Sequence, residues 1–122
     1  MTMLGMLMQN SEILAVVVSF NGLEKTLDAV KALRGKVGHI HVVDNASEVA
    51  SRDLLRSLEN FPDVSVDWLN ENRGIGYALN LGIARAREGG YGWLLTMDQD
   101  SRAGEGMIEA FRQSCVSDET RV

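Results

Sequence analysis

The sequence predicts an α/β domain with a parallel sheet, and three observations carry that reading. Its apolar, β-branched runs are continuous rather than alternating, segments with helical apolar spacing separate them, and each run ends in polar residues. The first run, Ile13-Leu14-Ala15-Val16-Val17-Val18-Ser19-Phe20, reads as a strand buried on both faces and therefore central. After Asn21-Gly22, Leu23, Leu27, Val30 and Leu33 recur at helical spacing through Arg34, and Gly35 and Gly38 close that unit. Ile40-His41-Val42-Val43 predicts a second short strand, followed by a helix marked by Leu54, Leu55, Leu58 and Phe61 and stopped near Pro62. Val64-Ser65-Val66-Asp67-Trp68-Leu69 alternates, as a strand near a sheet edge does, and Ala78, Leu79, Ile83 and Ala86 mark the helix after it, ended by Gly89-Gly90. Trp93-Leu94-Leu95-Thr96-Met97 is the fourth strand, and Met107, Ile108, Phe111 and Cys115 form the stripe of a last helix.

Four strands alternating with four helices imply right-handed crossovers and a Rossmann-like, three-layer α/β/α arrangement with a parallel sheet of about four strands. At 122 residues, 45% hydrophobic and 24% charged, the chain suits one globular domain with one core. Residues 1–11 are expected to form a flexible or partner-contacting arm, and 12–122 the domain. The opening Met1-Thr2-Met3-Leu4-Gly5-Met6-Leu7-Met8 lacks a basic leader and is too short for a transmembrane segment.

The net charge is −5, and residues 44–122 hold 14 of the 17 acidic residues. That argues against nucleic acid as a partner and suits a divalent cation. Cys115 is the single cysteine, so neither a disulfide framework nor a thiolate zinc site is expected, and a cytoplasmic location is the simplest. His39 and His41 lie two apart on one strand and point the same way, but no third ligand is near, and His39 opens the strand at the end away from the exits. Trp68 and Trp93 read as core or edge packing.

In an open parallel sheet, ligands bind beyond the carboxyl ends of the strands. The four exits here are Ser19-Phe20-Asn21-Gly22, Asp44-Asn45-Ala46-Ser47, Asn70-Glu71-Asn72-Arg73-Gly74 and Asp98-Gln99-Asp100-Ser101, and the topology sets them along one edge. Asp98 and Asp100 are two residues apart, so an extended backbone sends both carboxylates to one side, where hard oxygens suit Mg²⁺ or Mn²⁺ on a diphosphate. The other reading makes Asp100 or Ser101 the cap of the last helix. Asp44 stands where doubly wound folds put a carboxylate for a ribose hydroxyl or a base N–H, or else it caps a turn. Asn72-Arg73-Gly74-Ile75-Gly76 opens a helix, where backbone amides and a guanidinium suit an anion or a base edge; a plain capped helix start is the rival.

Three ordered segments, Val42-Val43-Asp44-Asn45-Ala46-Ser47, Asn72-Arg73-Gly74-Ile75-Gly76-Tyr77-Ala78-Leu79-Asn80-Leu81-Gly82-Ile83 and Trp93-Leu94-Leu95-Thr96-Met97-Asp98-Gln99-Asp100-Ser101, resemble the family 2 glycosyltransferases of the GT-A fold, in particular their rhamnosyltransferase-like branch. The resemblance implies transfer of sugar from a nucleotide-diphosphate sugar, dTDP-rhamnose in that branch, to the hydroxyl of a saccharide or lipid-linked acceptor with Mg²⁺ or Mn²⁺. It implies that Phe20 and Asn21 line the nucleotide and that Asp44 meets the pyrimidine or its ribose. Asn72, Arg73 and Gly74 would border base and diphosphate, with Asn80 nearby. Asp98 would face the ribose or sugar, and Asp100 would hold the metal. The family's general base comes from an acceptor-binding half that follows the Asp-x-Asp; Glu105 and Glu109 do not match it, so no catalytic residue is assigned and activity of this chain by itself is left open. A peripheral position at the inner membrane face and a homodimer through an exposed edge or the N-terminal arm are compatible with this reading.

Two alternatives stay open. A non-catalytic α/β interaction module would keep the fold without the chemistry. A dinucleotide-binding domain fits the strand–helix pattern less well, because no glycine fingerprint follows the first strand and Leu79 stands where the third glycine after Gly74 and Gly76 would be needed.

Overall fold

The computed structural model describes residues 9–98. Asp100 and the last helix therefore lie outside the described residues, as do Gln99, Ser101 and the arm up to residue 8. The elements are β1 (Ile13–Ser19), α1 (Glu24–Leu33), β2 (His39–Asp44), α2 (Val49–Leu55), β3 (Val64–Trp68), α3 (Gly74–Glu88) and β4 (Trp93–Asp98), with short 3₁₀ turns at Asn10–Glu12 and Arg56–Asn60. The strands are all parallel, in the order β3-β2-β1-β4. β1 is thus flanked on both sides, as its unbroken apolar run requires.

Handedness explains the layering. The chain steps from β1 to β2 to β3 in one direction, and right-handed crossovers put α1 and α2 on one face. It then returns across the sheet to β4, so α3 covers the other face. Ile13, Ala15, Val17, Ile40, Val42, Leu95 and Met97 pack with Leu27, Val30, Leu33, Leu55 and Leu58 on the first face. Leu14, Val16 and Val43 meet Ala78 and Ala86 on the second. Burying each of the Val, Leu, Ile and Met side chains among these contributes about 1.5–3 kcal/mol.

Several boundaries differ from the periodicity. Leu23 is exposed and sits at φ 49° before α1, so its helical spacing to Leu27 is coincidental. The second helix is α-helical only to Leu55 and tightens to a 3₁₀ turn, which still presents Leu58 to the core. Part of the expected arm joins the domain: Gly38 packs so tightly on the Ser11 backbone that an added Cβ would lie 2.4 Å from its carbonyl oxygen. The buried stripe of α3 is Ala78, Gly82 and Ala86 rather than its larger residues.

The end of α1 is tied to the start of β3. Arg34 Nε donates to both Asp63 carboxylate oxygens at 3.0 and 3.1 Å, and its guanidinium stacks 3.9 Å above the centre of the Phe61 ring. Arg34→Ala should lower stability by about 1 kcal/mol, read from the urea midpoint. Arg34→Lys should recover less than half of that, because an ammonium makes neither the fork nor the stack.

Candidate functional site

All four strand exits open on one edge of the sheet. The strand order reverses direction between β1 and β4, so the crevice above that pair is the topological switch point. Asp98 ends β4 there, its Cα paired with Val18.

The exits of β1, β2 and β3 are cross-braced by side chains. At the β1 exit, Ser19 is buried and its hydroxyl bonds that of Thr26 in α1 at 3.0 Å. Asn21, at φ 51°, accepts from the Glu48 amide through its side-chain oxygen at 2.7 Å, while its own amide donates to Ser47 Oγ at 2.8 Å. The β2 exit is thereby latched to the β1 exit. Asn45 reaches the other way and accepts from the Arg73 amide at 3.0 Å. Arg52 of α2 donates to the Leu69 carbonyl at 2.7 Å, beyond β3. The loops that would meet a ligand are therefore held before one arrives.

Asp44 is the centre of this bracing and has no exposed surface. Its carboxylate accepts from the Ser47 amide at 3.0 Å, from the Ser47 hydroxyl, and from Arg52 Nε at 3.4 Å. Three of about four acceptor directions are thus used inside the protein. The turn-capping geometry weighed from the sequence is present, whatever else Asp44 does.

The third exit is open. Arg73 caps α3 with its guanidinium half exposed, 3.0 Å from Glu71 and 5.1 Å from the centre of the Tyr77 ring. The Asn72 side chain accepts from the Gly74 amide at 2.9 Å. Gly74 adopts φ 83°, a conformation L side chains rarely adopt, and a Cβ at Gly74 or Gly76 would touch nothing within 4 Å. The first turn of this 15-residue helix carries no acidic residue, so beyond the Gly74 amide that Asn72 accepts, the positive end of the helix is not offset within that turn. Asn80 is exposed on the same helix, one turn and a half further on.

Phe20, Leu23, Val49, Ile75 and Tyr77 are the exposed large apolar side chains among the described residues, and every one belongs to an exit or to the helix start beside it. Of the residues the sequence singled out, Phe20, Asn21, Asp44, Asn72, Arg73 and Gly74 are gathered at this edge. Asp98 joins them by its strand position; Asp100 lies outside the described residues. Among the described residues no group of three or more His, Cys, Asp or Glu side chains is placed to hold a metal ion, and no helix is long and apolar enough to cross a membrane. Sequence reasoning missed Arg52, whose only signal is its position one turn into the helix that follows Asp44, and it gave Asn45 and Ser47 no role beyond membership of the β2 exit, whereas they join the exits.

A parallel α/β sheet whose order switches between β1 and β4, edged there by an open helix start, is the arrangement of the GT-A fold. The chain belongs to glycosyl transferase family 2, whose pattern matches residues 14–119. It is 34% identical over 110 residues to the dTDP-rhamnosyl transferase RfbF of Shigella flexneri, an alignment covering 89% of this chain and 36% of RfbF. TarS residues 1–349 of S. aureus share the fold with a TM-score of 0.68 at 16% identity, over 86% of this chain and 32% of that TarS fragment. The chain thus spans about a third of the length of both.

Proposed function

We propose that this chain supplies the donor-binding part of a glycosyltransferase that uses a nucleotide-diphosphate sugar, dTDP-rhamnose, and a saccharide or lipid-linked acceptor. The observation that carries the reading is the pre-braced exit edge with an open, electropositive helix start beside the β1/β4 crevice. RfbF, by its name a dTDP-rhamnosyl transferase, supports the choice of donor.

In this reading Phe20 lies against the base, and Asn21 sets the backbone beneath it. Asp44 has one acceptor direction left for a base N–H or ribose hydroxyl. Arg73 and the amides after Gly74 offset diphosphate charge, Asn72 shapes their approach, and Asn80 borders the same pocket. Asp98 is assigned to the ribose or sugar by its place at the end of β4. The Asp98 and Asp100 carboxylates are hard oxygen donors suited to Mg²⁺ or Mn²⁺, which when bound would neutralise charge on the leaving diphosphate. The hydroxyl-activating base is assigned to none of these residues.

Calorimetric titration of dTDP, UDP and GDP with and without Mn²⁺ tests the reading. dTDP should bind most tightly and only with metal. Asp100→Ala should abolish the metal dependence, and Arg73→Ala should weaken binding about tenfold or more, the effect of one charge-assisted contact. Metal-dependent binding that survives Asp100→Ala would remove that residue from its role. Tight NADH binding without metal would favour the dinucleotide alternative instead.

A further inference from the structure

Starting from the end of the sheet opposite the exits, a chain of polar side chains runs from β2 through β3 to the last turns of α3. His39 Nε2 and His41 Nδ1 both meet Ser65 Oγ, at 2.9 and 2.6 Å. His41 Nε2 lies 2.9 Å from Asp67 Oδ2, and Asp67 is bound by Arg85 Nη2 at 3.1 Å. Arg85 in turn meets Glu88 at 3.3 Å. The cluster borders a cavity of about 300 Å³ that Leu14, Gly89 and Tyr91 also line. His41 is buried, and none of these residues takes part in the exit edge.

The proton positions follow from the bonding. Asp67 is held ionised: burial works against that, but hydrogen bonds from His41 and Arg85, with their charges, keep its carboxyl below the usual range. A neutral His41 must therefore present Nε2–H to Asp67, which leaves Nδ1 as an acceptor for the Ser65 hydroxyl. Ser65 has one hydrogen, so His39 has to donate its own Nε2–H to Ser65 Oγ. Every donor then points toward Asp67.

The arrangement can run in reverse. When a proton binds His41 Nδ1, that N–H donates to Ser65 Oγ and the hydroxyl hydrogen turns to His39. His39 exchanges its Nε2 proton with solvent for one on Nδ1, so the net uptake is one proton and no hydrogen bond is lost. A second proton sets two imidazoliums against one oxygen and displaces the hydroxyl hydrogen from both. We propose that the Ser65-centred chain is a proton-responsive clamp between β2, β3 and α3, which takes one proton by reversing its hydrogen bonds and slackens at the second.

The surroundings of both rings oppose their charging. His39 lies below its ordinary value through burial and then through the charge of His41, partly offset by Asp63, which Arg34 from α1 already neutralises. For His41 burial is again the largest cause, opposed by Asp67 through its hydrogen bond and charge, with Arg85 from α3 adding to the lowering. Glu88, on α3, faces Arg85. Both imidazoles thus bind protons less readily folded than unfolded, where histidine titrates near about 6.5. Their stabilising effect is complete above that pH and is lost as pH falls through the lowered folded values.

Ring-nitrogen NMR of the full chain from about pH 8 to about pH 5 tests the clamp. Both rings should start as the Nε2–H tautomer, and His39 should switch to Nδ1–H in the same step in which His41 becomes charged. In Ser65→Ala the switch should disappear, and Ser65→Thr should restore it. Below about pH 6.5 the unfolding constant should rise, by up to about tenfold per pH unit for each proton taken up, with His39→Phe removing one proton from that slope. A His39 that charges first, that keeps Nε2–H while His41 titrates, or that still switches in Ser65→Ala would overturn the proposal, as would a flat stability profile.

Discussion

Asp44→Ala is expected to destabilise the chain by about 2–4 kcal/mol, the cost of leaving buried donors without their charged acceptor. The Ser47 amide and hydroxyl and the Arg52 guanidinium all converge on this fully buried carboxylate. Without it Arg52 keeps the Leu69 carbonyl, but Ser47 loses what orients it, and Ser47 also holds the Asn21 amide. The damage should therefore pass from the β2 exit to the β1 exit. Asp44→Asn keeps the shape and one acceptor oxygen, so it should cost roughly half as much. Urea unfolding checks the ranking; equal costs for the two variants would mean that charge rather than satisfied donors sets the effect. Because Asn21 and Ser47 stand at the ligand edge, nucleotide affinity should fall in both variants under conditions where each is still folded.

Gly82→Val should cost about 3 kcal/mol or more. A Cβ at Gly82 would stand 2.6 and 2.8 Å from the two Val16 methyl carbons, and Val16 is fully buried in β1 with a stiff side chain. Gly82→Ala gains about 1 kcal/mol of helix propensity against the overpacking, so its net cost should be smaller. Val16→Ala opens the space the new methyl needs. The double variant Val16→Ala/Gly82→Ala should thus be clearly more stable than the sum of the single changes, a coupling that a double-mutant cycle measures directly.

The periodicity made four strands, their parallel pairing and the central place of β1 legible, because a strand covered on both faces needs an unbroken apolar run. It also placed the candidate residues on one edge. Asp44, Asn72 and Arg73 follow strand ends by simple counting. What it could not carry was pairing between distant segments. That Ser65 and Asp67 face His41 depends on the β2–β3 register, His41 opposite Ser65, which no local pattern encodes. The latch between Asn21 and Ser47 likewise joins residues that the sequence places on two separate exits. Small residues mislead in the opposite way: with Ala78 and Ala86, which are buried, hydrophobicity marked Leu79 and Ile83 on α3, whereas close approach to the sheet selects Gly82 beside the two alanines.

The place of β4 in the sheet sets the order in which the protein can assemble. β1 can find β2 as soon as one short crossover has been made, but its other edge pairs Ile13 with Trp93 and waits for nearly all of the described chain to leave the ribosome. Closing so long a loop makes that pairing the slow entropic step of folding. Until it occurs, the Val16-Val17-Val18 segment offers an unpaired apolar edge to other nascent chains. The strand that brings Asp98 to the exit edge is also the one that seals the aggregation-prone flank of the core, so completion of that edge and protection from misassembly should arrive in a single late event.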